Sequence, residues 1–137
     1  KFFETTGDVG VYIYGKDLEE LFKNGGKVLF KIITNVKEKG SERKEIVLSS
    51  ENLENLFIKW LNELIFLFDV YGLVACDFDI KLTQDENNNF RLNVLIYYYP
   101  FDEKNDEKKL LIKAATYHKF YIKKTANGYE ARVLFDI

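Results

Sequence analysis

The chain has 137 residues, with 20 Lys and Arg against 22 Asp and Glu, a formal net charge of −2, and 47% hydrophobic and 31% charged residues. That is the length of a single domain, residues 1–137, with the balance of a folded globular protein and no global basic field for nucleic acid. One Cys excludes an internal disulfide and a cysteine-based zinc cluster. No apolar run reaches the roughly 20 residues of a membrane-crossing helix, and no leader pattern opens the chain, so the expected compartment is a reducing cytoplasm.

Val9–Tyr14 alternates as a strand, with Val9, Val11 and Ile13 on one face. Asp17 and Glu20 form a D-x-x-E capping box that starts a helix running to about Ile33. Gly25–Gly26 inside that helix marks either a close backbone approach or a kink. Val36–Glu45 is dense in charges that nearly cancel and reads as a solvated loop. A short strand follows at Glu45–Ser49, and Ser50 is the expected cap of a second helix. In this helix Leu53, Leu56, Phe57, Trp60, Leu61, Leu64, Ile65 and Phe68 recur at helical spacing until Tyr71–Gly72.

The remainder reads as β structure. Val74–Leu82 places Val74, Cys76, Phe78, Ile80 and Leu82 inward and Ala75, Asp77, Asp79 and Lys81 outward. A polar turn leads to Phe90–Tyr99, and a second charged loop, Phe101–Lys109, precedes strands at Leu110–Lys113, Thr116–Lys124 and Tyr129–Ile137. Asn127–Gly128 predicts a two-residue hairpin that pairs Phe120 with Phe135, Ile122 with Val133 and Lys119 with Asp136. The whole predicts an α+β fold in which two helices pack on a mostly antiparallel mixed sheet, in the order β-α-β-α-β-β-β-β-β.

No P-loop, G-x-G-x-x-G, H-E-x-x-H or G-x-S-x-G motif occurs. Cys76 lies on an apolar face and reads as a small core residue, and His118, the one histidine, shares a strand face with Phe120 and Ile122. Asp77 and Asp79 read as a solvated outer face. Tyr117, Lys119, Tyr121 and Lys123 interleave aromatics with bases, a pattern that can stack nucleobases or simply belong to an exposed strand. Asp136 stands next to Ile137. If Ile137 ends the chain, its α-carboxylate lies beside the Asp136 side chain, and oxygen-only donors of this kind suit Ca²⁺ or Mg²⁺.

Five ordered blocks resemble a known family. FETTGDVGVYIYGKDLEELF, LFKIITN, LFIKWLNELIFLFD, IKAATYH and YEARVLFDI match the archease pattern over essentially the whole chain. The resemblance implies a small cytoplasmic accessory protein of tRNA splicing, not an enzyme. Its implied partner is the GTP- and manganese-dependent RNA-splicing ligase, whose guanylylation and multiple turnover it promotes; tRNA halves are met only through that ligase. It further implies a divalent-cation site at Asp8, Asp136 and Ile137, with calcium expected before magnesium or manganese. Lys113 takes the place of the family's functional lysine. Three positions depart from the pattern: Thr5 stands for a His, Gly7 for an Ala, and Asn35 for the acidic residue usual after the first helix. A neutral oxygen donor at Asn35 is expected to weaken a cation held nearby or to serve in hydrogen bonding. Two other classes compete, a metal-dependent phosphoesterase and a chaperone-like module using Tyr117 and Tyr121.

Overall fold

The structure, a computed structural model, describes residues 2–5, 7–37 and 39–137, the first four as backbone alone. In chain order the elements are β1 (Phe2–Thr5), β2 (Asp8–Gly15), α1 (Leu18–Ile33), β3 (Glu42–Ser50), α2 (Leu53–Tyr71), β4 (Leu73–Gln84), β5 (Phe90–Pro100), β6 (Ala114–Thr125) and β7 (Gly128–Asp136). The α+β class stands, but the strands form two sheets, β1-β2-β7-β6 and β3-β5-β4, and every described pair is antiparallel.

Both helices begin where polar side chains satisfy their free N–H groups. Asp17 accepts from the Glu20 N–H at 2.8 Å, and Glu20 accepts in turn from the Lys16 N–H at 2.9 Å. The cap of α2 is Asn52, which accepts from the Asn55 N–H at 2.8 Å, and not Ser50, which is still the last residue of β3. Gly72, at φ 65°, closes α2 in the left-handed conformation that glycine adopts without strain.

The core lies between the two helices and the inner faces of both sheets. Trp60 donates its indole N–H to the Phe22 carbonyl at 2.8 Å, which ties α2 to α1, and packs edge-on against Phe78. Gly25 and Gly26 mark a close approach: a Cβ on Gly26 would sit 2.7 Å from the Phe78 ring, and one on Gly25 would sit 2.9 Å from Phe57.

Helix side chains reach the outer strands of the three-stranded sheet. On β4 the Leu82 N–H donates to Glu19 of α1 at 2.8 Å, while Lys23 and Lys27 each pair with Asp77 at 3.4 Å. On β3, Lys59 of α2 donates to the Ser49 carbonyl at 3.1 Å. A backbone group taken by a helix side chain is not free to pair with a further strand.

Several expectations change. The register of β4 shifts between Ala75 and Asp77, so Ala75 is buried instead of facing outward. Cys76 is half-buried, its thiol donates to the Tyr97 carbonyl at 3.1 Å, and burial lifts its pKa. The strand expected at Leu110–Lys113 is irregular, because Thr34 and Ile33 at the end of α1 engage Lys108 and Lys109 instead. β3 begins at Glu42, inside the segment read as loop.

The β6–β7 hairpin turns at Ala126–Asn127, with Thr125 opposite Gly128 and Ile122 opposite Ala131. Four residues of β6, 117–120, stand against Val133 alone, so Ala114 and not Lys119 faces Asp136. His118 and Lys119 are exposed within this bulge, and Lys119 has φ 52°. The interleaved face therefore breaks: Tyr117 lies against α2 beside Phe66, while Tyr121 remains in the ladder.

Candidate functional site

Asp8 opens β2 and Asp136 closes β7, and the register sets them directly opposite one another. Residues so paired carry side chains on the same face with Cβ atoms about 4.5–5.5 Å apart. Asp8 also faces Thr5 of β1, and Asp136 faces Ala114 of β6, so the pair lies across the end of the four-stranded sheet. The side chain of Thr5 lies outside the described residues.

Two backbone hydrogen bonds bring the remaining residues in. The Ile137 N–H donates to the Gly7 carbonyl at 3.3 Å, and the Lys113 N–H donates to the Asp136 carbonyl at 2.7 Å. Gly7 turns the chain there at φ 81°, which an Ala would adopt only with strain. The structure thus brings Asp8 together with Lys113, Asp136 and Ile137, which lie more than one hundred residues further along the sequence.

Asn35 is not tied to that group by any contact among the described residues. Its amide donates to the Glu107 carboxylate, and the neighbouring Thr34 hydroxyl donates to the Glu107 carbonyl. Lys37 adds an ion pair with Asp106 at 3.4 Å. Asn35 therefore pins the loop that runs on to Lys113.

Sequence reasoning passed over Asp69. It lines a cleft of about 490 Å³ together with Phe68, Phe101, Lys108, Leu111 and Lys113, and burial raises its carboxyl above the usual range. One signal was legible: an acid in the last turn of a helix that has no basic residue there opposes the helix dipole.

A sheet end that carries two opposed carboxylates, with a lysine one strand away, marks the rim of a small α+β domain. The chain belongs to the Archease protein family, whose family model matches residues 1–137. The archease of Saccharolobus islandicus is 40% identical over 138 residues, spanning 100% of this chain and 97% of that protein. The archease of Methanosarcina barkeri is 34% identical over 138 residues, 100% of this chain and 94% of its own. The solution structure of Methanobacterium thermoautotrophicum protein 1598 superposes with a TM-score of 0.79 at 26% identity, over 100% of this chain and 97% of that one. A crystal structure from Thermotoga maritima described as an archease, possible chaperone, shares the fold with a TM-score of 0.67 at 24% identity, over 100% of this chain and 96% of its own.

Proposed function

We propose that this chain is an accessory protein that activates a GTP- and manganese-dependent RNA-splicing ligase in tRNA splicing. It promotes guanylylation and multiple turnover of the ligase in the cytoplasm and performs no bond-making chemistry of its own. Family membership supports the reading, and one observation carries it: the β2–β7 register that sets Asp8 against Asp136, with Ile137 and Lys113 held at the same strand ends.

The donors fit a hard divalent cation. Two carboxylates and the main-chain oxygen of Ile137 are all oxygen, which suits calcium first and magnesium or manganese next. Asp8, Asp136 and Ile137 would hold the ion with water completing the shell; among the described residues no group of three His, Cys, Asp or Glu gathers, here or elsewhere. When bound, the cation supplies a positive centre on the sheet rim that a partner's phosphate or carboxylate can share. Lys113 adds a point charge for the same oxygen-rich partner groups. Asn35 contributes by fixing the loop that leads to Lys113.

The test is guanylylation of the purified ligase with sub-stoichiometric amounts of this protein. Acceleration that falls away in Asp8→Ala and Lys113→Ala is expected; a rate equal to the ligase alone would sink the proposal. A chaperone-like reading rests on the exposed Phe66, Val70, Tyr71, Leu111 and Tyr117 and on the description of the Thermotoga maritima protein. It predicts suppression of client aggregation that is indifferent to divalent ions. No helix among the described residues is long and apolar enough to cross a membrane.

A further inference from the structure

The cleft that Asp69 lines runs from the last turn of α2 to the residues just before β6. Phe68, Val70, Phe101, Leu111 and Ile112 give it apolar walls, with the Phe68 and Phe101 rings edge to face at 5.5 Å. Apolar walls with a few polar groups, around a volume of about 490 Å³, are the make-up of a binding cleft. The apolar surface does not stop at its mouth. Val70, Tyr71 and Leu111 are each more than half exposed, and the Tyr71 ring lies 6.0 Å from that of Phe66, which is also exposed. A small molecule in the cleft would leave that rim in water, whereas a protein surface covers both.

Four charged residues line the cleft, and two of them cancel. The Lys108 ammonium pairs with Glu103 at 3.6 Å and lies 5.5 Å from the Phe101 ring centroid. Asp69 and Lys113 do not cancel. Among the described residues neither side chain has a hydrogen bond or an ion pair, and partial burial is the one influence on the Asp69 carboxyl, raising it. A lysine close enough to pair with that carboxyl would hold it down. Asp69 also stands at the carbonyl end of α2, where no basic residue balances the helix dipole. This end of the cleft is electronegative, and the group that suits it is a cation.

The two unpaired charges are of opposite sign, and that selects the occupant. Nucleic acid brings anions alone and would be repelled by the Asp69 carboxylate. A lone divalent ion would find one unpaired carboxylate and leave the apolar walls uncovered. A protein segment meets every feature: an apolar side chain for Val70 and Leu111, Lys or Arg for Asp69, and Asp or Glu for Lys113.

We propose that this cleft and its rim dock the partner protein, through a segment in which an apolar side chain is flanked by one basic and one acidic residue. The identity of the partner as the splicing ligase rests on the function proposed above; the chemistry of the docking segment rests on the cleft.

The test measures the affinity of the full chain for the purified ligase by interferometry, with guanylylation of the same ligase in parallel, both in excess calcium. Asp69→Lys should weaken binding about tenfold or more, as for a charge pair reversed across an interface. A lysine suits the end of α2, so the melting temperature of this variant should not fall. Leu111→Ser should weaken binding about fivefold. Val47→Ser, which changes an exposed apolar residue of β3 outside the cleft, should bind like wild type. Tighter binding of Asp69→Lys would mean an anionic occupant, and unchanged binding would mean apolar capture blind to charge. Either result, with a wild type that binds and activates, overturns the docking proposal and leaves the activator reading standing. A wild type that neither binds nor activates the ligase overturns the activator reading, and docking of this partner with it.

Discussion

The side chain of Asn62 pairs with both backbone groups of Ala115: its amide oxygen accepts from the Ala115 N–H at 2.8 Å, and its amide nitrogen donates to the Ala115 carbonyl at 3.2 Å. One residue of α2 therefore does what a further strand would do at the edge of β6. Asn62→Ala leaves a buried N–H and carbonyl without partners, which costs about 1–3 kcal/mol per orphaned group. The expected result is a clear loss of stability in denaturant titration. Because Ala115 lies two residues from Lys113, ligase activation should fall as well, even at temperatures where the variant is folded.

Gly26 in α1 predicts an unfavourable gain of a methyl. Alanine improves helix propensity by about 1 kcal/mol. Its Cβ, however, would fall 2.7 and 2.8 Å from two atoms of the Phe78 ring and 3.1 Å from Trp60, both fully buried. Overpacking of this kind costs about 1–3 kcal/mol, so Gly26→Ala should lower the melting temperature despite its better propensity. Gly25→Ala, with one contact under 3.4 Å, should cost less.

The Tyr121–Glu130 hydrogen bond makes stability depend on pH at both ends. The bond, with some burial, raises Tyr121 from 10.0 to about 12, and the same bond is the main reason Glu130 is held below its ordinary 4.5. Glu130 has its lower pKa in the folded state, so its contribution is present above 4.5 and is lost as the pH falls through the native value. Tyr121 has its higher pKa in the folded state, so its contribution is full below 10.0 and disappears as the pH rises toward 12. Tyr121→Phe should be less stable than wild type near neutrality, and the two melting curves should converge in acid and in strong base. A constant gap from about pH 3 to about pH 11 would contradict the assignment.

The parts of the fold that were legible are those set by local chemistry: the Asp17 cap, the α2 stripe through Trp60, and the stop at Gly72. The hairpin register was not. Pairing Ile122 with Ala131 instead of Val133 is a two-residue slip, and such a slip keeps every apolar residue on its own face, so alternation cannot detect it. A tertiary contact selects the register: a Cβ at position 128 would stand 2.2 Å from the Gly15 carbonyl oxygen, so Gly128 lies in the strand against β2 and not at the turn. The edge contacts of Asn62 and Glu19 were hidden for a similar reason, since both read as ordinary helix-surface residues until Ala115 and Leu82 are in place. At the site, Asp8 and Asp136 could be named from motif residues, but their direct opposition follows from the β2–β7 register. Lys113 joins them through the Asp136 carbonyl, which no side-chain pattern encodes.

The proposed cation site makes a prediction that changes sign with calcium. Two carboxylates directly opposite on neighbouring strands repel, and like-charged cross-strand pairs are destabilising. In chelator, Asp136→Ala should therefore melt at the same temperature as wild type or slightly higher. With calcium at about ten times its dissociation constant, a native-state site adds about 1.4 kcal/mol, so wild type should overtake the variant. Asp8→Ala should likewise lose the calcium response, because it removes the other member of the opposed pair. Lys113→Ala should keep the calcium response while losing ligase activation, since its side chain is not among the proposed donors. The measurement is the melting temperature of all four proteins in chelator and in roughly millimolar calcium, the range of weak oxygen-donor sites, with ligase guanylylation followed in parallel. If Asp136→Ala gains as much from calcium as wild type does, the ion is held elsewhere and the opposed carboxylates at the sheet end are not its ligands.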